Sequence, residues 1–360
     1  MAARLSEVEK QAYTVIVLVA VGLLIAGIGI WATESDGPAD DGCAATDLLE
    51  PPCGAWWGAY VPYAEDGPAE GSLTRAVYAF EKKIGRRLDL VYNYHDMSNT
   101  ELDGQLLTPD ERELGEDRML MLAWESTIWR EPHHENWTED QLGWAKVASG
   151  RYDEEIIDPQ ARRIKEYGEK HGKRIFLSFD QEVDARIKEG AGTPREYVAA
   201  YRHLHDRFEE LGVENVVWVW TVSGYLGSAD EMKALYPGDG YVDWIGMDQY
   251  NYYLCHDTTD WKDFDRSQRP TYDWLRENIS AEKPLMLAEF GTVPDPDRDR
   301  QRDWYARIPE SVRTMPSVKA LVHWNRPVPG PNCDLTVNEG PSLEGYREAG
   351  RDSYFDQPLP

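Results

Sequence analysis

Two glutamates, Glu182 and Glu289, stand about a hundred residues apart, each just beyond an apolar run of strand length. Around the second, Lys283 to Thr292 reads K-P-L-M-L-A-E-F-G-T, so that Leu285, Met286, Leu287 and Ala288 can be buried on both faces. Around the first, Lys173 to Ala185 reads K-R-I-F-L-S-F-D-Q-E-V-D-A, with Ile175, Phe176, Leu177 and Phe179 running into Asp180, Glu182 and Asp184. A carboxylate in such a place is costly unless it has a partner or a task. Either one alone could be a structural acid salt-bridged to a loop. Together they suit a double displacement at a glycosidic carbon. One carboxyl protonates the leaving oxygen and later activates water, while the other attacks from about 5–5.5 Å away.

That chemistry needs both acids on one rim, and the rest of the chain reads as the scaffold for it: alternating strands and helices closing into an α/β (β/α)8 barrel, whose reactive groups sit at the C-terminal strand ends. Expected strands are Trp57–Val61, Leu88–Tyr92, Met119–Ala123, the two glutamate strands, Val216–Trp220, Val242–Met247 and the apolar run near Ala320. Leu73, Val77, Phe80 and Ile84 repeat at helical spacing between the first two strands. Ala161, Ile164 and Tyr167 mark a helix over about Pro159–Lys170. Thr193, Pro194 and Glu196 form a capping-box start for a helix with Tyr197, Tyr201, Leu204, Phe208 and Leu211 on its apolar face, ended by Gly212. His203 and His205 are then surface or packing residues. The adjacent His133 and His134 diverge too much to make a metal site by themselves, so no metal is expected.

The ordered segments W-W-G-A-Y-V-P (56–62), M-L-M-L-A-W-E-S (119–126), G-R-Y-D-E-E-I (150–156), the Glu182 strand, E-N-V-V-W-V-W (214–220), Y-V-D-W-I-G-M-D-Q-Y-N (241–251), the Glu289 strand and A-L-V-H-W-N (320–325) resemble glycoside hydrolase family 26, the β-mannanase-like family of retaining (β/α)8 barrels. The resemblance runs over residues 56–356. It implies Glu182 as acid/base and Glu289 as nucleophile, with no cofactor, and a β-linked polysaccharide such as β-mannan as substrate. It assigns the sugar-lining positions to Tyr60, Trp124, Glu125, Gln181, Trp220, Asp248, Tyr250 and Trp324, with Tyr250 bonded to the nucleophile and Trp324 as the floor beside the scissile bond. The chain departs from the family pattern in having Gln181 where histidine precedes the acid/base and Ser178 where an arginine often stands. A barrel that has lost its chemistry and binds or helps assemble an extracellular polysaccharide is the alternative.

The chain has 360 residues, enough for one large barrel and an appendage, and a formal net charge of −27, which argues against nucleic acid as a partner. Its 14 tryptophans and 20 tyrosines supply flat faces for sugar rings as well as for the core. No charged residue falls between Gln11 and Thr33, and Ala12–Trp31 is long and apolar enough to span a bilayer. Arg4 and Lys10 before it and Glu34, Asp36, Asp40 and Asp41 after it orient the N-terminus inward. The expectation is therefore a cytoplasmic segment (1–11), a membrane helix or signal anchor (12–31), an extracellular linker (32–55) and the barrel, held as a monomer at the cell membrane, or secreted if the segment is cleaved. Cys43, Cys53, Cys255 and Cys333 allow three pairings. Cys255 and Cys333 fall in the loops after the sixth and eighth strands, beside the nucleophile strand, and Cys43 and Cys53 lie together in the linker. Cys43–Cys53 and Cys255–Cys333 follow.

Overall fold

Eight short apolar runs pair side by side in chain order and close on themselves, β1 joining β8, with every pairing parallel. They are β1 Trp56–Tyr60, β2 Leu90–Asp96, β3 Met119–Glu125, β4 Ile175–Phe179, β5 Val216–Val222, β6 Trp244–Asn251, β7 Leu285–Thr292 and β8 Val318–Trp324. This computed structural model describes residues 45–63, 72–99, 104–129, 139–255 and 258–360. The expected (β/α)8 barrel is present. The membrane segment, the linker up to residue 44, the His133–His134 pair and Cys43 lie outside the described residues, and among those described no helix is long and apolar enough to cross a membrane; residues 45–55, expected as linker, instead pack on the barrel, with Leu49 and Ala55 buried.

Alternation along each strand sorts side chains into two layers. Trp56, Leu90, Tyr92, Met119, Met121, Phe176, Val217, Val219, Trp244, Met286, Ala320 and Val322 fill the barrel. The odd-parity set, with Trp124, Leu177, Trp220, Ile245, Leu287 and Leu321, packs outward under the helices. At the N-terminal mouth the indole N–H groups of Trp56 and Trp244 donate to the carbonyls of Leu49 and Leu48, both at 2.7 Å, so the segment before β1 plugs the bottom.

The helices follow their periodicity. Leu73–Ile84 buries Leu73, Val77, Phe80 and Ile84, is capped by Ser72, and stops at Gly85 in a left-handed conformation. Pro194–Glu210 carries the Thr193/Glu196 capping box and buries Tyr197, Tyr201, Leu204 and Phe208. His203 bonds Asp153 at 2.8 Å and His205 lies against Trp218 and Tyr241, both in packing roles.

Two strands run further than their apolar cores. β2 continues four residues past Tyr92, because its outward polar residues are satisfied by one buried carboxylate: Glu111 Oε1 takes Asn93 Nδ2 at 2.6 Å and His95 Nε2 at 2.7 Å. β6 likewise runs on through Asp248 and Tyr250 to Asn251. Both extensions carry side chains to the catalytic rim.

The predicted Cys255–Cys333 bridge is formed, with Cα atoms 5.2 Å apart and the bonded positions 78 apart in sequence, joining the loops after β6 and β8. Closing a loop of that length in the unfolded chain is worth about 4 kcal/mol on the chain-entropy account. Cys255→Ser with Cys333→Ser should therefore lower the melting temperature of the oxidised protein by about 10 °C. Calorimetry with and without reductant checks it, and an unchanged melting temperature would show that the bridge is not formed in solution.

Candidate active site

Glu289 reaches the barrel mouth through an irregularity in its strand. The register of β7 slips against β6 between Met247 and Asp248 and against β8 between Leu321 and His323. Ala288 faces inward and Phe290 outward, and the slip turns Glu289 into the mouth as well, as a β-bulge does. There it meets two phenols. Tyr94 on β2 donates to Oε1 and Tyr250 on β6 donates to Oε2. Burial pushes the Glu289 carboxyl up to about 7, the two phenols pull it back, and the charge of Glu125 adds to the rise.

Glu182 sits in the turn after β4, half-buried, at the N-terminus of the short helix Val183–Glu189. Asp180 and Glu182 both adopt φ of 49°, a left-handed backbone that side-chain-bearing residues seldom take. The turn is held by Asp180, whose buried carboxylate accepts from the Ser126 N–H at 2.7 Å, the Ser126 hydroxyl at 2.5 Å and the Trp144 indole at 2.6 Å. Strain kept in place by so many bonds aims one side chain. Both glutamates act on the same tyrosines: burial first, then the charges of Glu182 and Glu289, push Tyr252 up, and both add to the burial-driven rise of Tyr250.

The ring floor is Tyr60 stacked on Trp324, centroids 4.4 Å apart and planes 14° from parallel, with Tyr94 edge-on to both at 5.2 and 5.6 Å. Gln181 donates through Nε2 to Glu125 Oε1. Glu125 Oε2 is paired with Arg186 at 2.6 Å, and Arg186 Nε also lies 3.9 Å from Asp180. Ser178 bonds Thr221 at 2.9 Å. The cation near the acid/base thus comes from the following helix instead of the end of β4.

Tyr60, Glu125, Gln181, Asp248, Tyr250 and Trp324 gather with the two glutamates. Trp124 and Trp220 do not. Both are fully buried on the outward layer, Trp124 donating to the Asp96 carbonyl at 3.1 Å and Trp220 packing edge-on to Tyr236. Their parity in β3 and β5 points them at the helices, which corrects the sugar-lining assignment. Tyr94 and Arg186 are functional positions the sequence reading missed. The Y-N-Y spacing of Tyr92 and Tyr94 was the available signal for the first; no sequence signal pairs Arg186 with Glu125. Among the described residues, His205, Asp206 and Glu209 are a group with metal-ligand spacing, on an outer helix and mostly exposed.

Removing either phenol should raise the Glu289 pKa further, because each bond favours the ionised form. Tyr94→Phe and Tyr250→Phe are each expected to move the acid limb of kcat/KM about one unit to higher pH, a tenfold loss on the acid side. The pH profile on an activated aryl glycoside reads this, and an unmoved limb would show that the phenols do not set the ionisation of Glu289.

A family model described as Glycosyl hydrolase family 26 matches residues 186–269. Endoglucanase H of Acetivibrio thermocellus is 28% identical over 285 residues, 76% of this chain and 29% of its own length. The β-1,3-xylanase TXYA of a Vibrio species is 30% identical over 145 residues, 40% of this chain and 28% of the relative. The chain thus spans less than a third of the length of these curated relatives. Among solved structures, a ruminal GH26 endo-β-1,4-mannanase superposes with a TM-score of 0.58 at 15% identity, covering 84% of this chain and 64% of that one. The β-mannanase from a symbiotic protist of the termite Reticulitermes speratus, complexed with gluco-manno-oligosaccharide, gives 0.55 at 18%, covering 84% and 88%. At such identities these structures speak to the fold.

Proposed function

We propose that the chain is a member of glycoside hydrolase family 26 and a retaining β-glycan hydrolase in which Glu289 attacks the anomeric carbon while Glu182 first protonates the leaving oxygen and then activates water. The observation that carries this reading is Glu289 itself, turned into the barrel mouth and gripped through both oxygens by Tyr94 and Tyr250. A nucleophilic carboxylate needs that hold, since donors to both oxygens favour the charged form and fix its direction of attack. The stacked Tyr60–Trp324 pair offers the floor for the sugar ring at this point.

For the substrate, the curated relatives are named endoglucanase and β-1,3-xylanase, and by the resemblance Gln181 stands where most members of the family carry histidine. These two facts favour gluco- or xylo-configured chains over mannan. The N-terminal apolar segment supports a membrane tether with the barrel outside the cell.

The test is an assay of the soluble barrel on mixed-linkage β-glucan, β-1,3-glucan, β-1,3-xylan, β-1,4-xylan and β-mannan, with the anomer of the first product followed by proton NMR. Cleavage with the β-anomer appearing first is expected. Binding without cleavage would overturn the hydrolase in favour of a polysaccharide-binding or assembly role. The α-anomer first would overturn the double displacement. Fractionation of the full chain, with the barrel remaining in the membrane pellet after an alkaline wash, is expected of the tether; release would overturn it.

A further inference from the structure

Asp248 lies across the parallel β6–β7 register from Glu289, on the inward parity that it shares with Tyr250. It is 2% exposed, and among the described residues no side chain donates to either of its carboxyl oxygens. The groups around it are acids and phenols: Glu289 from β7, Glu182 and Asp184 from the segment after β4, Tyr92 and Tyr94 from β2, and Tyr250 on its own strand. Asp184 is held by the Ser223 N–H at 2.8 Å and the Ser223 hydroxyl at 2.6 Å. Arg186 is engaged by Glu125 and Asp180.

We propose that Asp248 and Glu289 share a single proton and that it rests on Asp248, making Asp248 a neutral positioning residue that lets its neighbour be the ionised member of the pair. Two carboxylates on adjacent strands cannot both carry charge cheaply in a buried mouth. The hydrogen-bond donors decide which one does. Glu289 has two phenol O–H groups aimed at it and Asp248 has no side-chain donor among the described residues, so the charge belongs on Glu289 and the proton on Asp248. Burial, followed by the charges of Glu289, Glu182 and Asp184, pushes Asp248 well above the ordinary carboxylate range, outweighing the Glu289 backbone N–H that favours its charge. The pair then titrates as a unit, its first proton leaving Glu289 and its second leaving Asp248 at higher pH. The protonation state stands independently of the glycosidase reading; only its catalytic consequence rests on that reading.

Infrared difference spectroscopy tests the state directly on the intact chain. Wild type minus Asp248→Asn at neutral pH should show a protonated-carboxyl C=O stretch, which in wild type persists above the pH at which Glu289 ionises. If Asp248→Asn fails to fold, titration of that band in the wild-type protein alone still decides. A wild type without a band that persists above neutrality would overturn the proposal. The second readout is the acid limb of kcat/KM on an activated aryl β-glycoside. Removal of a neutral neighbour should leave the limb within about half a unit of its place, whatever happens to the rate, whereas removal of an ionised one would drop it by a unit or more, since the repulsion opposing Glu289 ionisation would be gone. A drop of that size would overturn the proposal. If wild type cleaves no glycoside, the hydrolase reading fails while the infrared result stands by itself.

Discussion

Glu289→Ala is expected to abolish turnover on every polysaccharide and on activated aryl glycosides alike, by at least about four orders of magnitude, because the covalent step has no other nucleophile positioned for it. Glu125 cannot substitute, being committed to Arg186 and Gln181. The same substitution should leave a signature in stability. Burial raises the folded-state pKa of Glu289 to about 7 from 4.5. A group raised in this way favours the folded state fully below its unfolded pKa, and that contribution is lost as pH climbs through the folded value. Wild type should therefore lose stability relative to the alanine variant between about pH 4.5 and 7, by up to about 3 kcal/mol. Denaturant titrations at several pH values read the slope. A gap that does not change with pH would mean that Glu289 ionises normally in the fold.

Glu182→Ala should behave differently on two classes of substrate. On polysaccharide the leaving oxygen must be protonated, and the loss is expected to be about 10²–10⁴-fold. With a dinitrophenyl glycoside the leaving group needs no proton, so the glycosyl-enzyme still forms in a burst. It then accumulates, because no general base activates water for the second step. Rapid-quench kinetics should show one equivalent of phenol released, and mass spectrometry should find the sugar on Glu289. Equal losses for the two variants on this substrate, with no burst, would sink the division of roles. The turn that aims Glu182 depends on Asp180 and its three donors, so the result also reports on whether that strained segment holds its shape.

Apolar runs of strand length separated by helical repeats leave few architectures open, and the order of the elements was legible for that reason: local pattern determines which face of each element must be buried. The same local logic placed Glu182 and Glu289 at strand ends and identified Cys255 and Cys333 as rim neighbours. What the pattern could not decide is direction at the rim. Trp124 and Trp220 look like sugar platforms by type, yet parity turns them outward into the helix layer. Glu289 points inward only because its strand slips register against both neighbours, a feature of pairing between strands that is not written in either strand alone. Tyr94 escaped notice because β2 ends in polar residues whose burial is paid for by Glu111 from a different helix. Arg186 reaches Glu125 across a gap of sixty-one positions from the helix after β4, replacing a cation expected within β4. The sequence by itself determined the barrel, its two carboxylates and a disulfide. Only the tertiary structure decided that Tyr94 joins Tyr250 on Glu289 and where the balancing cation stands, because those depend on distances between residues that no local period relates.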